Sequence, residues 1–199
     1  MNGPIDVDKL RHEIQAKYEE VVGQPDAEFH FKIGRPALER TGYEPEWYEG
    51  LPEDAIGRFA GVANPFHWGL PHPGERVVDV GSGAGVDCLI AARAVGFDGA
   101  VVGVDMTPAM LEEARGAAAK ADSVNVEFRE GLAEKLPVED GWADVVISNG
   151  VINLVPDKLD AYREISRVLK AGGRVQVADI CVENAVPDSA LGDVDLWTE

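Results

Sequence analysis

The stretch VVDVGSGAGVDCLIAA, residues 77–92, places three glycines between an apolar run and a segment with a helical pattern. A continuous apolar run of this length is typical of a strand buried on both faces of a sheet. Gly81, Gly83 and Gly85 would let backbone N–H groups and the start of the following helix face a bulky ligand. The alternative is a tight turn that serves only close packing of helix against strand.

Strand-like and helix-like segments alternate from about residue 73 onward. Predicted strands occupy 76–81, 100–105, 124–131, 143–151 and 174–182, and predicted helices occupy 86–95, 107–121 and 158–173. Strands separated by such helices indicate right-handed crossovers and a mostly parallel sheet covered on both faces. We therefore predict an α/β fold, a Rossmann-like doubly wound sheet.

The first 72 residues have a different pattern. Apolar residues recur at helical spacing in VDKLRHEIQAKYEEVV, residues 7–22, and prolines and glycines divide the rest into short pieces. We expect residues 1–72 to form an N-terminal helical cap, or lid, over the mouth of the sheet. Residues 73–199 would then form the ligand-binding core.

Charge and composition limit the classes of partner. Acidic residues number 36 against 18 basic ones in 199 residues, which gives a net charge of −18, so a nucleic acid partner is disfavoured. Cys88 and Cys181 both lie in apolar runs, and we expect two buried thiols rather than a disulfide. No metal site, membrane span or signal segment is predicted, and we expect a cytoplasmic protein.

Polar residues fall where predicted strands end. Gly81, Asp105, Glu130 and Asn149 lie at or near carboxyl ends of strands, the edge at which open parallel sheets bind ligands. An acid about 20 residues beyond the glycines accepts hydrogen bonds from ribose hydroxyls in dinucleotide folds, and Asp105 has this position. The alternative for Asp105 is a helix-initiating acid before Thr107.

Asp79 lies within the first predicted strand and requires a polar partner there. A ligand ammonium group or the backbone N–H groups of the glycine turn would each satisfy it. An NAD-dependent oxidoreductase is disfavoured, because Val86 replaces the last glycine of the G-x-G-x-x-G pattern and no hydride-transfer pair is evident.

The motifs DVGSGAG at 79–85 and GVD at 103–105 resemble those of class I S-adenosylmethionine (SAM) methyltransferases. The segments at 130–154 and 167–180 strengthen the likeness. Within that family, GSGAGVDCLIAA, GVDMTPAMLEEAR and SNGVINLVPDK are similar to segments of arsenite methyltransferases. The resemblance implies SAM as cofactor and in-line methyl transfer to a small-molecule acceptor.

The resemblance also implies the residues that hold SAM. The methionine part would contact Asp79, Gly81, Ser82 and Gly83, with Asn149 beside the methionine group and the sulfonium. The ribose would contact Asp105, and the adenine would lie near Met106, Gly131, Leu132 and Ala133, with help from Glu130. Tyr18 would close over the cofactor, and Asn64 with Pro65 would belong to a loop that approaches it.

Departures from the family bear on the acceptor. Val62 and Gly150 stand where arsenite methyltransferases carry cysteines, and neither side chain binds a thiophilic element. Arsenite methylation and non-catalytic SAM binding therefore remain as alternatives to methylation of another small molecule. The family continues with antiparallel strands after the fifth strand. Here the sequence reads DSALGDVDLWTE, so we expect those strands to be missing from a truncated chain.

No catalytic residue is predicted, because methyl transfer mainly requires alignment and dehydration of the reactants. His67 and His72 are weak candidates for a base. An aromatic set in the predicted cap forms either a substrate pocket or the core between cap and sheet: Trp47, Tyr48, Phe59, Phe66 and Trp68. The sequence does not indicate an oligomeric state.

Overall fold

The structure, a computed structural model, describes residues 5–24, 29, 31–183 and 197. Its centre is one sheet of five parallel strands: β1 (Arg76–Val80), β2 (Ala100–Asp105), β3 (Val126–Glu130), β4 (Ala143–Asn149) and β5 (Leu169–Ala178). The helices are α1 (Val7–Gly23), α2 (Arg35–Thr41), α3 (Pro45–Tyr48), α4 (Glu53–Gly57), α5 (Val86–Val95), α6 (Pro108–Lys120) and α7 (Lys158–Val168), with one 3-10 turn at Ile152–Leu154. The predicted Rossmann-like fold is confirmed.

The strands lie in the order β3-β2-β1-β4-β5. The chain moves outward from β1 through β2 to β3, and then returns to the other side of β1 with β4. The order of connection therefore reverses between β1 and β4, where Val80 pairs with Ser148. A reversal of this kind opens a crevice at the carboxyl ends of the strands.

Alternate residues of the strands serve two separate cores. Val77, Val101 and Val145 face α5 and α6 on one side of the sheet. Val78, Val102 and Val146 face α7 on the other side. Because both faces are covered, β1, β2 and β4 carry buried apolar residues on both sides, which is why the segment of β1 reads as a continuous apolar run.

The N-terminal segment packs in two places. The residues of α1 that are buried, Leu10, Ile14 and Val21, lie in small clusters near Met106 and Met110. Residues from α2 to α4, including Leu38 and Ile56, join the core on the α5 side of the sheet. The division into a cap of residues 1–72 and a core of 73–199 stays a prediction.

The prediction was wrong at the end of the last helix. We expected a helix over 158–173, but α7 ends at Val168 and β5 begins at Leu169. Ala143 pairs with Leu169 whereas Val145 pairs with Arg174, so the residues between them form an irregular excursion in β5. Gly172, at φ 84°, permits that excursion, although glycines here resemble a helix C-terminus in sequence.

The predicted final strand, 174–182, also ends earlier than expected, because β5 stops at Ala178. Of the segment DSALGDVDLWTE, all but Trp197 lies outside the described residues. No helix in the described part of the chain is long and apolar enough to cross a bilayer.

Candidate functional site

A cleft opens at the carboxyl edge of the sheet, over the crevice between β1 and its neighbours. We call it the cleft throughout. Its lining comprises Arg11, Ile14, Tyr18, Met110 and residues 58–61, 81–87, 104–107, 131–134, 149–151 and 154–156. Ten of the twelve predicted cofactor residues line it, and Asp79 and Asn64 do not.

The glycine turn contains glycines that permit close packing and one glycine that exposes backbone, the two roles that the sequence allowed. A Cβ on Gly81 would collide with Val151, and one on Gly85 would lie 2.9 Å from Phe128 Cζ, so these two glycines permit close packing. Gly83 differs, because a Cβ there would meet nothing within 4 Å although its φ is 50°. Gly83 therefore exposes bare backbone to the cleft.

Asp105 connects the end of β2 to that turn. Its Oδ2 accepts a hydrogen bond from the N–H of Gly83 at 2.8 Å, and its Oδ1 accepts one from the N–H of Thr107 at 2.8 Å. Burial raises the pKa of this carboxyl above its ordinary value, and the two N–H donors oppose that shift. Asp105 thus holds the turn and also starts α6, while it still faces the cleft.

Asp79 has a partner that we did not predict. It is buried beneath the turn, and the thiol of Cys88 donates to its Oδ2 with an Sγ–Oδ2 distance of 3.2 Å. Burial, followed by the nearby charge of Asp87, raises the pKa of Asp79 well above its ordinary value. Cys88 is buried as predicted, but the prediction of a buried Cys181 was wrong, because Cys181 is exposed beyond the end of β5.

Asn149 belongs to a network that sequence reasoning missed. Its Oδ1 accepts from the N–H groups of Val62 (3.0 Å) and Ala63 (3.2 Å). Its Nδ2 donates to Tyr43 Oη at 3.0 Å and to Asp87 Oδ2 at 3.2 Å. The amide is therefore fully engaged with protein groups, so its polar atoms hold the wall of the cleft together.

Asp87 is the centre of this Tyr43–Asp87–Asn149 network. Tyr43 Oη donates to Asp87 Oδ1 at 2.7 Å. Burial raises the pKa of Asp87 to about 6, and the two donors reduce that shift. In the sequence Asp87 reads only as an acid in the first turn of a helix, and its partners are 44 and 62 residues away.

The opposite wall is largely apolar. Met106, Leu132 and Ala133 line it, and Gln15 of α1 donates from Nε2 to the Met106 carbonyl oxygen at 2.6 Å. Tyr18 also faces the cleft, and burial, with the charges of Asp105 and Asp179, raises its pKa to about 12. Arg11 is paired with Glu134 at 3.1 Å on this side.

Several other candidates lie elsewhere. Asn64 donates to the Gly42 carbonyl oxygen at 2.9 Å and accepts from the Phe66 N–H at 2.8 Å, so its side chain serves a loop. His67 and His72 are exposed and are not in the cleft lining, and neither is Glu130.

Most of the aromatic set is core. Tyr48, Phe59 and Phe66 are buried in the cluster on the α5 side, and Trp47 packs against it. Trp68 is 87% exposed, so it belongs to neither alternative, and only Phe59 among the five also lines the cleft.

Val62 and Gly150 lie in direct contact. A Cβ on Gly150 would come within 3.0 Å of Val62 Cγ1. The two positions that the family resemblance associates with cysteines are thus side by side, occupied by an apolar side chain and bare backbone, and Gly150 lines the cleft. Among the described residues, no group of three or more His, Cys, Asp or Glu side chains is arranged to hold a metal ion.

Comparison with known proteins agrees with this geometry. Residues 71–197 match the family model described as a methyltransferase domain. The chain is 45% identical to an arsenite methyltransferase of Halobacterium salinarum over 80% of this chain and 41% of that protein. It is 33% identical to the arsenite methyltransferase of Mus musculus over 98% of this chain and 54% of that protein.

A solved structure is also similar, that of an arsenic(III) S-adenosylmethionine methyltransferase from Chlamydomonas reinhardtii. It is 38% identical, with a TM-score of 0.66 over 78% of this chain and 52% of that one. The chain thus spans about half the length of these relatives. The glycine turn, the acid at the end of β2 and the matching family model place the chain in the class I SAM-dependent methyltransferase family, in the group related to arsenite methyltransferases.

Proposed function

We propose that this chain binds SAM in the cleft and transfers its methyl group in line to a small-molecule acceptor. The hydrogen bond from Gly83 N–H to Asp105 Oδ2, at 2.8 Å, is the observation that carries the proposal. It brings the exposed backbone of the glycine turn and the ribose-binding acid together at one edge of the sheet, as adenosyl recognition requires.

The cleft suits the cofactor chemically. Bare backbone at Gly83 permits close approach, and the buried hydroxyl of Ser82 has no hydrogen-bond partner in the described chain. The N–H groups of Gly83 and Thr107 hold the two oxygens of Asp105 at the cleft, where the carboxylate can also accept bonds from ribose hydroxyls. Met106, Leu132 and Ala133 provide apolar surface against which an adenine ring can pack.

The residues of this chain would contribute mainly by alignment. A sulfonium supplies a methyl group with a good leaving group, so the chain need only orient the reactants and exclude water. Asp87 lies in the cleft wall and has a raised pKa, which suits a general base. However, its two oxygens already accept hydrogen bonds from Tyr43 and Asn149. We assign no residue the role of general base.

Arsenite is the second candidate acceptor, favoured by the named activity of the relatives. The contact between Val62 and Gly150 opposes it, because thiolates are the ligands that a thiophilic element needs. The thiol of Cys88 is buried and committed to Asp79. We therefore favour another small molecule as acceptor, and a cytoplasmic location stays a prediction.

Calorimetry and an acceptor screen test the proposal. Titration of the folded chain with SAM should give saturable heat, and SAM should raise the melting temperature whereas NAD should not. Incubation with methyl-labelled SAM and candidate acceptors, arsenite among them, then identifies the methylated product. Absence of any SAM binding by folded protein would overturn the proposal. Tight SAM binding without turnover of any acceptor would favour the non-catalytic alternative.

A further inference from the structure

The last strand of the sheet, β5, has an open outer edge. It pairs with β4 on one side, and in the described part of the chain no strand pairs with its other side. The Ala178 carbonyl oxygen accepts from the Gly150 N–H, on the β4 side, at 2.8 Å. Because alternate residues of a strand direct their main-chain groups to opposite sides, the N–H and C=O groups of Val175 and Val177 face outward. Such an edge is a template for pairing with another strand.

Only the first half of β5 is protected against pairing. Charged side chains and bulges are common means by which edge strands avoid it. The first half has Lys170 and the irregular excursion between Leu169 and Arg174. Residues 175–178 read VQVA and contain no charge, no proline and no shift of register. The regular half of the edge is therefore the half that can pair.

Exposed apolar side chains concentrate around the same edge. Of the eight large apolar side chains that are exposed in the described chain, four lie on β5 or next to it: Trp68, Val175, Ile180 and Val182. Gln176 of β5 holds the loop that carries Trp68. Its Nε2 donates to the carbonyl oxygens of Pro65, at 3.0 Å, and Gly69, at 2.9 Å. Apolar side chains concentrated in one exposed area mark an interaction surface.

One buried polar atom at this edge lacks a partner. Gln176 is only 7% exposed, and its Oε1 accepts no hydrogen bond within the described chain. Buried amide oxygens usually have a donor. A neighbouring molecule on the open side of β5 can supply one.

The distribution of charge favours one partner and one direction of pairing. Lys170 and Arg174 lie in the first half of β5, where Asp144 and Glu75 of the same chain offset their charges, and the acid Asp179 follows the end of the strand. A parallel copy of this edge would place the acidic ends together. An antiparallel copy separates them and brings each acidic end beside the basic half of the other strand. Pairing of this kind about a twofold axis closes after two chains.

We propose that the β5 edge, residues 174–182 together with Trp68, pairs antiparallel with the same edge of a second copy of this chain, about a twofold axis near Val177. The outward main-chain groups of Val175 and Val177 then bond to the partner strand, and the exposed apolar side chains are covered. This inference does not rest on the proposed function, and its test requires no SAM.

Analytical ultracentrifugation measures the oligomeric state of the wild type and of Val175→Lys, Ile180→Lys and Val124→Lys. Chain concentrations run from about 1 to about 100 μM in about 0.5 M NaCl, which screens the repulsion between two chains of charge −18. The wild type should form a dimer. Val175→Lys and Ile180→Lys should each raise the dimer dissociation constant at least about tenfold, because each places a cation in the apolar contact.

Val124→Lys is the matched control. Val124 is 82% exposed and precedes β3, at the opposite edge of the sheet, so this change should leave the dissociation constant within about twofold. Hydrogen exchange then locates the contact: the amides of Val175 and Val177 should exchange more slowly in the dimer than in the monomer.

Three results would overturn the inference. They are a monomer at every concentration, a dimer that neither edge variant weakens, and a dimer in which these two amides exchange as fast as in the monomer. If Val175→Lys does not fold, Ile180→Lys decides, because Ile180 lies beyond the end of β5 and outside the sheet.

Discussion

The side chain of Val62 lies against the backbone of Gly150, with only 3.0 Å between Val62 Cγ1 and the position that a Cβ would take on Gly150. Gly150 also has a φ of 72°, which disfavours any L side chain. We expect Gly150→Ala to lower the free energy of unfolding by about 2–3 kcal/mol, from backbone strain and crowding together.

Gly42 is a matched control for this change, because its φ is 76° and a Cβ there would meet nothing within 4 Å. Gly42→Ala should therefore cost only the strain, about 1–2 kcal/mol. Adding Val62→Ala to Gly150→Ala should restore at least about 0.5 kcal/mol relative to additivity. Urea denaturation of Gly42→Ala, Gly150→Ala, Val62→Ala and the double variant measures these values. Strictly additive effects of Val62→Ala and Gly150→Ala would contradict the contact.

A second prediction concerns Asp105, whose carboxylate supports both the turn and the proposed ribose site. Asp105→Ala should weaken SAM binding at least about tenfold, since a charged hydrogen bond contributes about 1.5–3 kcal/mol. It should also reduce stability, because the N–H groups of Gly83 and Thr107 lose their acceptors.

Asp105→Asn separates the two effects. The asparagine retains one oxygen acceptor and the shape of the side chain, so it should recover part of the lost stability but little of the affinity. Calorimetry with SAM and thermal unfolding of the same preparations provide both measurements. Unchanged affinity in both variants would remove the ribose assignment.

Local spacing was enough to predict the β1 turn, the acid that ends β2 and the parallel sheet. Those features depend on neighbouring residues: an apolar run, a glycine cluster and a helix start. The role of Asn149 was not accessible in this way. Its four hydrogen bonds reach Val62, Ala63, Tyr43 and Asp87, which are brought together only by packing of the N-terminal segment on the sheet.

Arg58 shows the same limit. Nothing near it in the sequence identifies a residue of the cleft lining, because its position depends on α4 lying beside α6. The predicted end of α7 was wrong for a different reason. The glycines of LKAGG are typical of a helix terminus, but here they lie in an irregular part of β5.

A third prediction uses the pKa of Asp87, which burial raises to about 6 from an ordinary value of 3.8. A raised pKa means that folding favours the protonated carboxyl. Its contribution to stability is therefore fully present below about pH 4 and is lost as the pH rises through about 6. Across that interval the loss amounts to roughly 1–3 kcal/mol, at about 1.4 kcal/mol for each pKa unit.

Asp87→Asn cannot ionise, so it should lack this loss. The unfolding free energy of the wild type minus that of the variant should therefore fall as the pH rises from about 4 to about 6. Asp79 and Asp105, whose pKa values are also raised by burial, remain in both proteins, and the subtraction reduces their contribution. Denaturation curves across this interval that stay parallel for the two proteins would contradict the role of Asp87.

The last prediction concerns Tyr18, which brings α1 to the cleft. The tyrosine packs in the clusters that contain Met106 and Met110, and its pKa of about 12 keeps it neutral at physiological pH. If its ring covers the bound cofactor, Tyr18→Ala should weaken SAM binding by about 5- to 30-fold, from about 1–2 kcal/mol of lost apolar contact. Tyr18→Phe keeps the ring and should lower the affinity for SAM by less than about threefold.

Tyr162→Ala, on the exposed side of α7, is the control and should leave the dissociation constant unchanged. Calorimetry distinguishes these outcomes, and equal SAM affinity for the wild type and Tyr18→Ala would show that α1 does not close over the cofactor.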